Sequence, residues 1–165
     1  MRQKALMPES SLAGDIKPSF KPQLVFSREG TSGGWSALAG DHPILIVEDD
    51  FLIALDIEAG LSAAGFSLAG PATSADEAIS IALSIKPALV LMDIRLLGKR
   101  DGIDAALELY RDLGIRCIFT TAHGDRDVRL RAEPAKPLGW VQKPYSIPTL
   151  IEAIRNAFQE LKKEG

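Results

Sequence analysis

Five short apolar runs recur along this chain: I-L-I-V (44–47), F-S-L-A-G (66–70), A-L-V-L-M (88–92), I-R-C-I-F (115–119) and L-G-W-V (138–141). Most of them do not alternate apolar with polar residues, which is the signature of strands covered on both faces. Helical patterns fill the intervals. Phe51, Leu52, Leu55, Leu61 and Ala64 recur near helical spacing before Gly65, which stands where a helix stops. Ser74-Ala-Asp-Glu77 has the form of a capping box, and Pro87 closes the helix that it opens. A third helix is predicted over Asp104–Leu113, ended by Gly114, and a last one opens at Ser146-Ile-Pro-Thr and runs through Phe158 to Leu161. A helix after Gly124 is predicted to be short, because Pro134 and Pro137 interrupt it. Five strands alternating with five helices imply right-handed crossovers and a doubly wound α/β fold on a parallel sheet.

The pattern begins only at Pro43. Residues 1–41 are rich in Pro, Gly and Ser and sustain no period, so they read as a largely disordered extension; Leu24-Val25-Phe26 and Trp35 with Leu38 are its only candidate docking points. Residues 42–165 form the domain. A net charge of −3 gives no general attraction to nucleic acid or anionic membrane, and no helix-turn-helix pattern is present. No apolar stretch approaches the ~18 residues that span a bilayer, and the first twenty residues lack a secretory core. A single cysteine, Cys117, lies inside an apolar run. These features place the chain in a reducing cytoplasm, with Cys117 as core.

In a doubly wound sheet, ligands bind beyond the carboxyl ends of the strands, where the winding reverses. Past the first run stand Glu48, Asp49 and Asp50; the third ends at Asp93, the fourth at Thr121-Ala122, the fifth at Lys143-Pro144. An acid that ends a run as apolar as A-L-V-L-M sits half in the core beside its neighbours' carboxylates. Two carboxylates about 4 Å apart repel by about 4 kcal/mol at an effective dielectric near 20, so the cluster calls for a cation or a raised pKa. Oxygen-only donors select a hard ion, and Mg²⁺ fits best because it uses one or two carboxylates with a phosphate oxygen. Lys143 adds a fixed positive charge and Thr121 a hydroxyl. Together they outline a pocket for a phosphoryl group joined to Asp93 as nucleophile. Asp50 is surplus to this set and reads as the cap of the first helix. His42 and His123 are too far apart, and too alone, to suggest zinc.

The ordered set I-L-I-V-E-D-D, L-M-D-I-R-L, F-T-T-A-H and V-Q-K-P-Y resembles the receiver domain of two-component response regulators, over about Pro43–Leu161. The resemblance implies a flavodoxin-like sheet of order 2-1-3-4-5, Asp93 as phosphoacceptor, and Mg²⁺ held by Asp93, by Asp49 directly, by Glu48 through water and by the backbone carbonyl of Arg95. It further implies that Thr121, Ala122 and Lys143 hold the phosphoryl oxygens, and that the peptide before Pro144 is cis. The implied partner is a sensor histidine kinase or a histidine phosphotransfer protein. The motifs F-T-T-A-H-G-D and L-G-W-V-Q-K-P-Y are similar to those of receivers that accompany HWE-type kinases. A second copy of the chain is a further candidate partner.

Some positions depart from the family pattern. Trp140 stands where Tyr or Phe usually switches with Thr121, and reads equally as a core or interface residue. Arg95 and His123 either flank the path of an attacking water or are exposed loop residues. A-E-P-A-K-P-L-G implies a remodelled signalling face. Lys99 and Arg100 read as a solvated pair before a contact for an acidic partner. With one helix after Lys143, the expectation is a stand-alone regulator that signals by protein contacts or drains phosphoryl groups, and is not an enzyme beyond its own phosphorylation and dephosphorylation. The competing readings are a Mg²⁺-dependent aspartyl-phosphate phosphatase, disfavoured by Arg95 where a second acid belongs, and a phosphorylation-independent adaptor.

Overall fold

A computed structural model describes residues 43–164. The N-terminal extension, with its two docking candidates and His42, lies outside the described residues. Five strands, β1 (Ile44–Val47), β2 (Leu68–Ala72), β3 (Leu89–Asp93), β4 (Cys117–Thr121) and β5 (Gly139–Gln142), alternate with five helices. These are α1 (Phe51–Ala63), α2 (Ala75–Ile85), α3 (Gly102–Leu113), α4 (Arg126–Ala132) and α5 (Ile147–Glu164), with one 3₁₀ turn at Glu133–Ala135 after α4. The sheet is parallel throughout, in the order β2-β1-β3-β4-β5. The fold expected from the alternating pattern, and the strand order implied by the resemblance, are both present.

Period-2 alternation divides the strand side chains between two cores. Leu45, Val47, Val90, Met92, Cys117 and Phe119 face α2, α3 and α4. Ile44, Ile46, Leu89, Leu91, Ile118 and Val141 face α1 and α5, which contribute Ile57, Leu61, Leu150, Ile154, Ala157 and Phe158. On the first side α2 presents Ala75, Ala78 and Ala82, small enough to let the helix lie close to the sheet. Cys117 is buried, and loss of solvation pushes its thiol up to about 12, so it behaves as a small apolar group.

Four of the five strands end one or two residues later than their apolar runs. Two helix stops account for the larger shifts. After α1, Gly65 enters the left-handed region at φ 86° and its amide returns to Ser62, while the Phe66 amide returns to Leu61 O at 3.1 Å. This Schellman closure commits Phe66 to the helix, so β2 opens two residues later. After α3, Gly114 turns left-handed in the same way and the Ile115 amide returns to Leu109 O, delaying β4 to Cys117. β2 then continues through the cis Gly70-Pro71 bond, tolerated because it is an edge strand. A side chain at Gly70 would meet Ile46 O at 2.7 Å, at a φ of +99°. The peptide before Pro144 is cis, as implied.

The helix starts follow their caps. Asp50 accepts from the amides of Leu52 and Ile53, the role read for it. Ser74 accepts from Glu77 N, but Glu77 reaches back to the amide and hydroxyl of Thr73 instead of completing the expected box. A full capping box forms elsewhere, between Asp101 and Asp104, and it starts α3 two residues before the expected Asp104.

Arg116, inside the fourth apolar run, precedes β4 and is 9% exposed. Its guanidinium donates to Lys136 O at 2.6 Å and pairs with Glu164 and Glu160 at 2.7 Å each, fastening the end of α5 to the turn before β5. Arg116→Ala leaves the Lys136 carbonyl without its donor and is expected to cost about 1–3 kcal/mol of stability in chemical denaturation. A change under about 0.5 kcal/mol, the scale of ordinary surface substitutions, would show the staple adds nothing.

Candidate functional site

The sheet reverses its winding between β1 and β3, which pair in register with Val47 beside Met92. The residues that follow, Glu48 and Asp93, therefore project from adjacent strand ends at one point of the rim. Because β3 and β4 end later than their apolar runs, Asp93 and Thr121 are the last residues of their strands and not loop residues. Their backbone is pinned by the ladder, and both side chains are buried, at 6% exposure each. Asp49, one step farther along the chain, is half-buried.

Oxygens of Glu48, Asp49 and Asp93 lie within 4.8 Å of one another. Lys143, just past β5, crosses the rim and donates from Nζ to Glu48 Oε2 and to Asp93 Oδ2, both at 2.7 Å. Its own amide is held on Thr121 O at 2.8 Å, so the lysine stem is anchored to the neighbouring strand. The free lone pairs of the two acids have backbone partners: Asp93 Oδ1 accepts from Arg95 N at 3.2 Å, and Glu48 Oε1 from Asp50 N at 3.3 Å.

Three acids against one ammonium leave the rim negative. Burial raises the Glu48 pKa above its ordinary 4.5, and the neighbouring Asp93 adds to that against the opposing pull of Lys143. For Lys143 burial works against the charged form, but hydrogen bonds and charge from Asp93 and Glu48 outweigh it, so its pKa stands above 10.5. Such a donor set, oxygen only and over-negative, fits a hard divalent cation and not a soft one.

The other expected residues divide. Thr121 is in place, but its hydroxyl donates to His123 O at 2.9 Å and accepts from His123 N at 3.2 Å, closing a turn on itself. Ala122, Arg95 and His123 are exposed around the mouth. Trp140 is half-buried on β5, with its ring centroid 4.8 Å from that of Phe119 and the Arg129 guanidinium 4.8 Å over its face. It is thus packed on both sides. Lys99 is exposed, while Arg100 is half-exposed and, instead of standing as a free solvated charge, bridges Asp76 of α2 and Glu108 of α3. The correction has a plain cause, since both acids sit on helices that only the fold brings to this loop.

Sequence reasoning missed Tyr145. It packs beside Lys143 with its hydroxyl buried and without a hydrogen-bond partner, and loss of solvation pushes its pKa up to about 12. Tyr145, Lys143 and Pro144 face Leu52, Ile53 and Asp56 across a cleft of about 500 Å³ next to the acids. Only its place directly after Lys143-Pro144 signalled it in the sequence.

A model of the response regulator receiver domain matches residues 44–155. The chain is 37% identical over 120 residues to the transcriptional regulatory protein PdtaR of Mycobacterium tuberculosis, covering 73% of this chain and 58% of that protein. It is 37% identical over 112 residues to the phyllosphere-induced regulator PhyR of Methylorubrum extorquens, covering 67% and 41%. The chain thus spans about half the length of these relatives. A chemotaxis protein CheY of Thermotoga maritima is 30% identical over 112 residues, with 92% of its length covered. Among solved structures, the receiver domain of a modulated diguanylate cyclase from Desulfovibrio desulfuricans superposes with a TM-score of 0.70 at 31% identity, covering 75% of this chain and 98% of that one.

Glu48 provides a direct check of the rim. In metal-free protein its carboxyl should titrate above 4.5 by NMR, and Mg²⁺ should draw it down. The sign follows from linkage: a pKa raised by folding contributes stability that is full below 4.5 and is lost as pH rises through the folded value. Metal-free protein should therefore gain stability from Glu48 as pH falls toward 4.5, and Glu48→Gln should remove that part of the slope. A Glu48 titration at or below 4.5 without metal would contradict the crowding described.

Proposed function

This chain belongs to the response regulator receiver domain family, and from that membership we propose that it accepts a phosphoryl group on Asp93 from a histidine kinase or histidine phosphotransfer protein. The observation that carries the reading is the placement of Lys143 Nζ, 2.7 Å from both Asp93 and Glu48 at the switch point of the sheet. One Asp93 carboxylate oxygen forms the new O–P bond as the P–N bond to the donor's imidazole breaks, and the electron pair leaves with the ring nitrogen. Asp93 Oδ1 stays on the Arg95 amide, which fixes the carboxylate plane during attack. Lys143 shifts from the carboxylate to the incoming phosphoryl oxygens, where charge is spread in the transition state. We assign the Thr121 hydroxyl and the Ala122 amide as the remaining donors to that group, and Thr121 must leave His123 to serve.

Glu48, Asp49, Asp93 and the Arg95 carbonyl would hold Mg²⁺, which would supply neutralising charge at the acids. Partner access is supported by the surface around the cleft. Phe51, Leu52 and Leu55 of α1 are 72%, 73% and 50% exposed beside the acids, an apolar face suited to a helix that carries a phosphohistidine. The similarity of F-T-T-A-H-G-D and L-G-W-V-Q-K-P-Y to receivers that accompany HWE-type kinases points to a donor of that type. We read the output as protein contacts or phosphoryl drainage within the cytoplasm; among the described residues no helix is long and apolar enough to cross a membrane. A phosphatase reading would need an acid two residues after the nucleophile, where Arg95 stands exposed.

Purified protein with Mg²⁺ and acetyl phosphate should gain one phosphoryl group, seen by intact mass, and Asp93→Asn should gain none. Labelling of that variant would remove Asp93 as the acceptor, and steady release of phosphate from aryl phosphates would favour the phosphatase.

A further inference from the structure

The position of Asp93 depends on more than its strand. The chain leaves β3 through residues 94–101 and returns at once, because the Gly102 amide donates to Ile94 O at 2.9 Å. A Cβ built on Gly102 would lie 1.9 Å from the carbonyl oxygen of Asp93. The first turn of α3 is thus seated on the main chain of Asp93, and neither can shift without the other.

That first turn is held from outside. Its cap, Asp101, and its boxed partner, Asp104, are both gripped by Arg131 of α4. The guanidinium donates to Asp101 Oδ2 at 2.6 Å, to Asp101 Oδ1 at 2.7 Å and to Asp104 Oδ1 at 2.8 Å. This two-pronged geometry fixes direction as well as distance. The pair is open to solvent on the Arg131 side, whose side chain is 46% exposed; burial opposes the charge on Asp101, yet Arg131 and the capping amides still hold its pKa below 3.8.

α4 is seven residues long, with Ala132 buried and Val128 half-buried against the core. Beyond those apolar contacts its other polar anchor is again an arginine, Arg129, which donates to Gly124 O at 3.2 Å and lies over Trp140. Two arginines two residues apart thus join this short helix to the loop after Thr121, to Trp140 and to the turn beneath Asp93.

We propose that Arg131 is a positioning residue for the Asp93 chemistry, acting through the Asp101–Asp104 cap and Gly102, and that this clamp couples the placement of α4 to the rate at which Asp93 gains its phosphoryl group. The inference rests on Asp93 being the acceptor.

The test uses the full chain, acetyl phosphate and Mg²⁺, well below the unfolding temperature of each variant. Arg131→Gln should lower the phosphorylation rate and raise the Mg²⁺ concentration for half-maximal rate by at least roughly threefold each, since small misplacements of reacting groups are costly. Arg131→Lys should recover part of the loss, and Arg155→Gln, which removes an exposed arginine from α5, should change neither. Asp101→Asn keeps an acceptor for the capping amides while removing half the ion pair. It should reproduce the Arg131→Gln defect, and the double variant should be no worse than either single. Should Arg131→Gln fail to fold, Asp101→Asn and Arg131→Lys decide alone. Rates and Mg²⁺ dependence equal to wild type in the folded variants would overturn the clamp while leaving Asp93 as acceptor. No labelling of wild type would overturn the acceptor reading itself.

Discussion

Everything at the rim follows from a shortage of positive charge. Three carboxylates with oxygens inside 4.8 Å face one ammonium, so the folded chain carries unsatisfied repulsion there, about 3–4 kcal/mol per close pair at an effective dielectric near 20. The fold does not avoid this cost, because the switch point forces it. β1 and β3 are neighbours in register, and their ends carry Glu48 and Asp93. The apolar strands behind them supply the stability that holds the acids together. Lys143 offsets part of the repulsion, and its position on two acids at once leaves Asp49 as the acid it does not neutralise. A site built in this way favours a cation among its oxygens.

Much of this was legible in the sequence because it is local. Runs of buried strand, helix stops at Gly65 and Gly114, the Asp50 cap and the acids at run ends each depend on neighbours within a few residues. Where sequence reasoning slipped, a longer-range competition decided. Phe66 and Ile115 look like the openings of strands, but the preceding helix claims their amides for its closure, and the strands start and end later as a result. The displacement of β4 is functionally useful, since it makes Thr121 part of the ladder, beside Gln142.

Apart from Lys143 on its acids, the ion pairs were not legible. Arg100 with Asp76, Arg116 with Glu160 and Glu164, and Arg131 with Asp101 join residues brought together only by the fold. Charge in a sequence says that a residue prefers water or a partner; which one it has depends on topology. Tyr145 shows the same limit for polar groups, because nothing local distinguishes a tyrosine that keeps its hydroxyl wet from one that buries it unpaired.

The aromatic on β5 illustrates how a departure from the family pattern can be absorbed. Trp140 stacks near Phe119 and beneath Arg129, so its ring is held from the core side and from α4. Thr121, meanwhile, spends its hydroxyl on His123. A switch that relied on Thr121 turning and a free aromatic following would have to break the Arg129 stack, worth about 0.5–1 kcal/mol at a partly exposed site. That is small beside the charge redistribution expected when Lys143 exchanges a carboxylate for a phosphoryl oxygen. The stack therefore ties the Trp140 ring to α4 through Arg129 at little energetic cost.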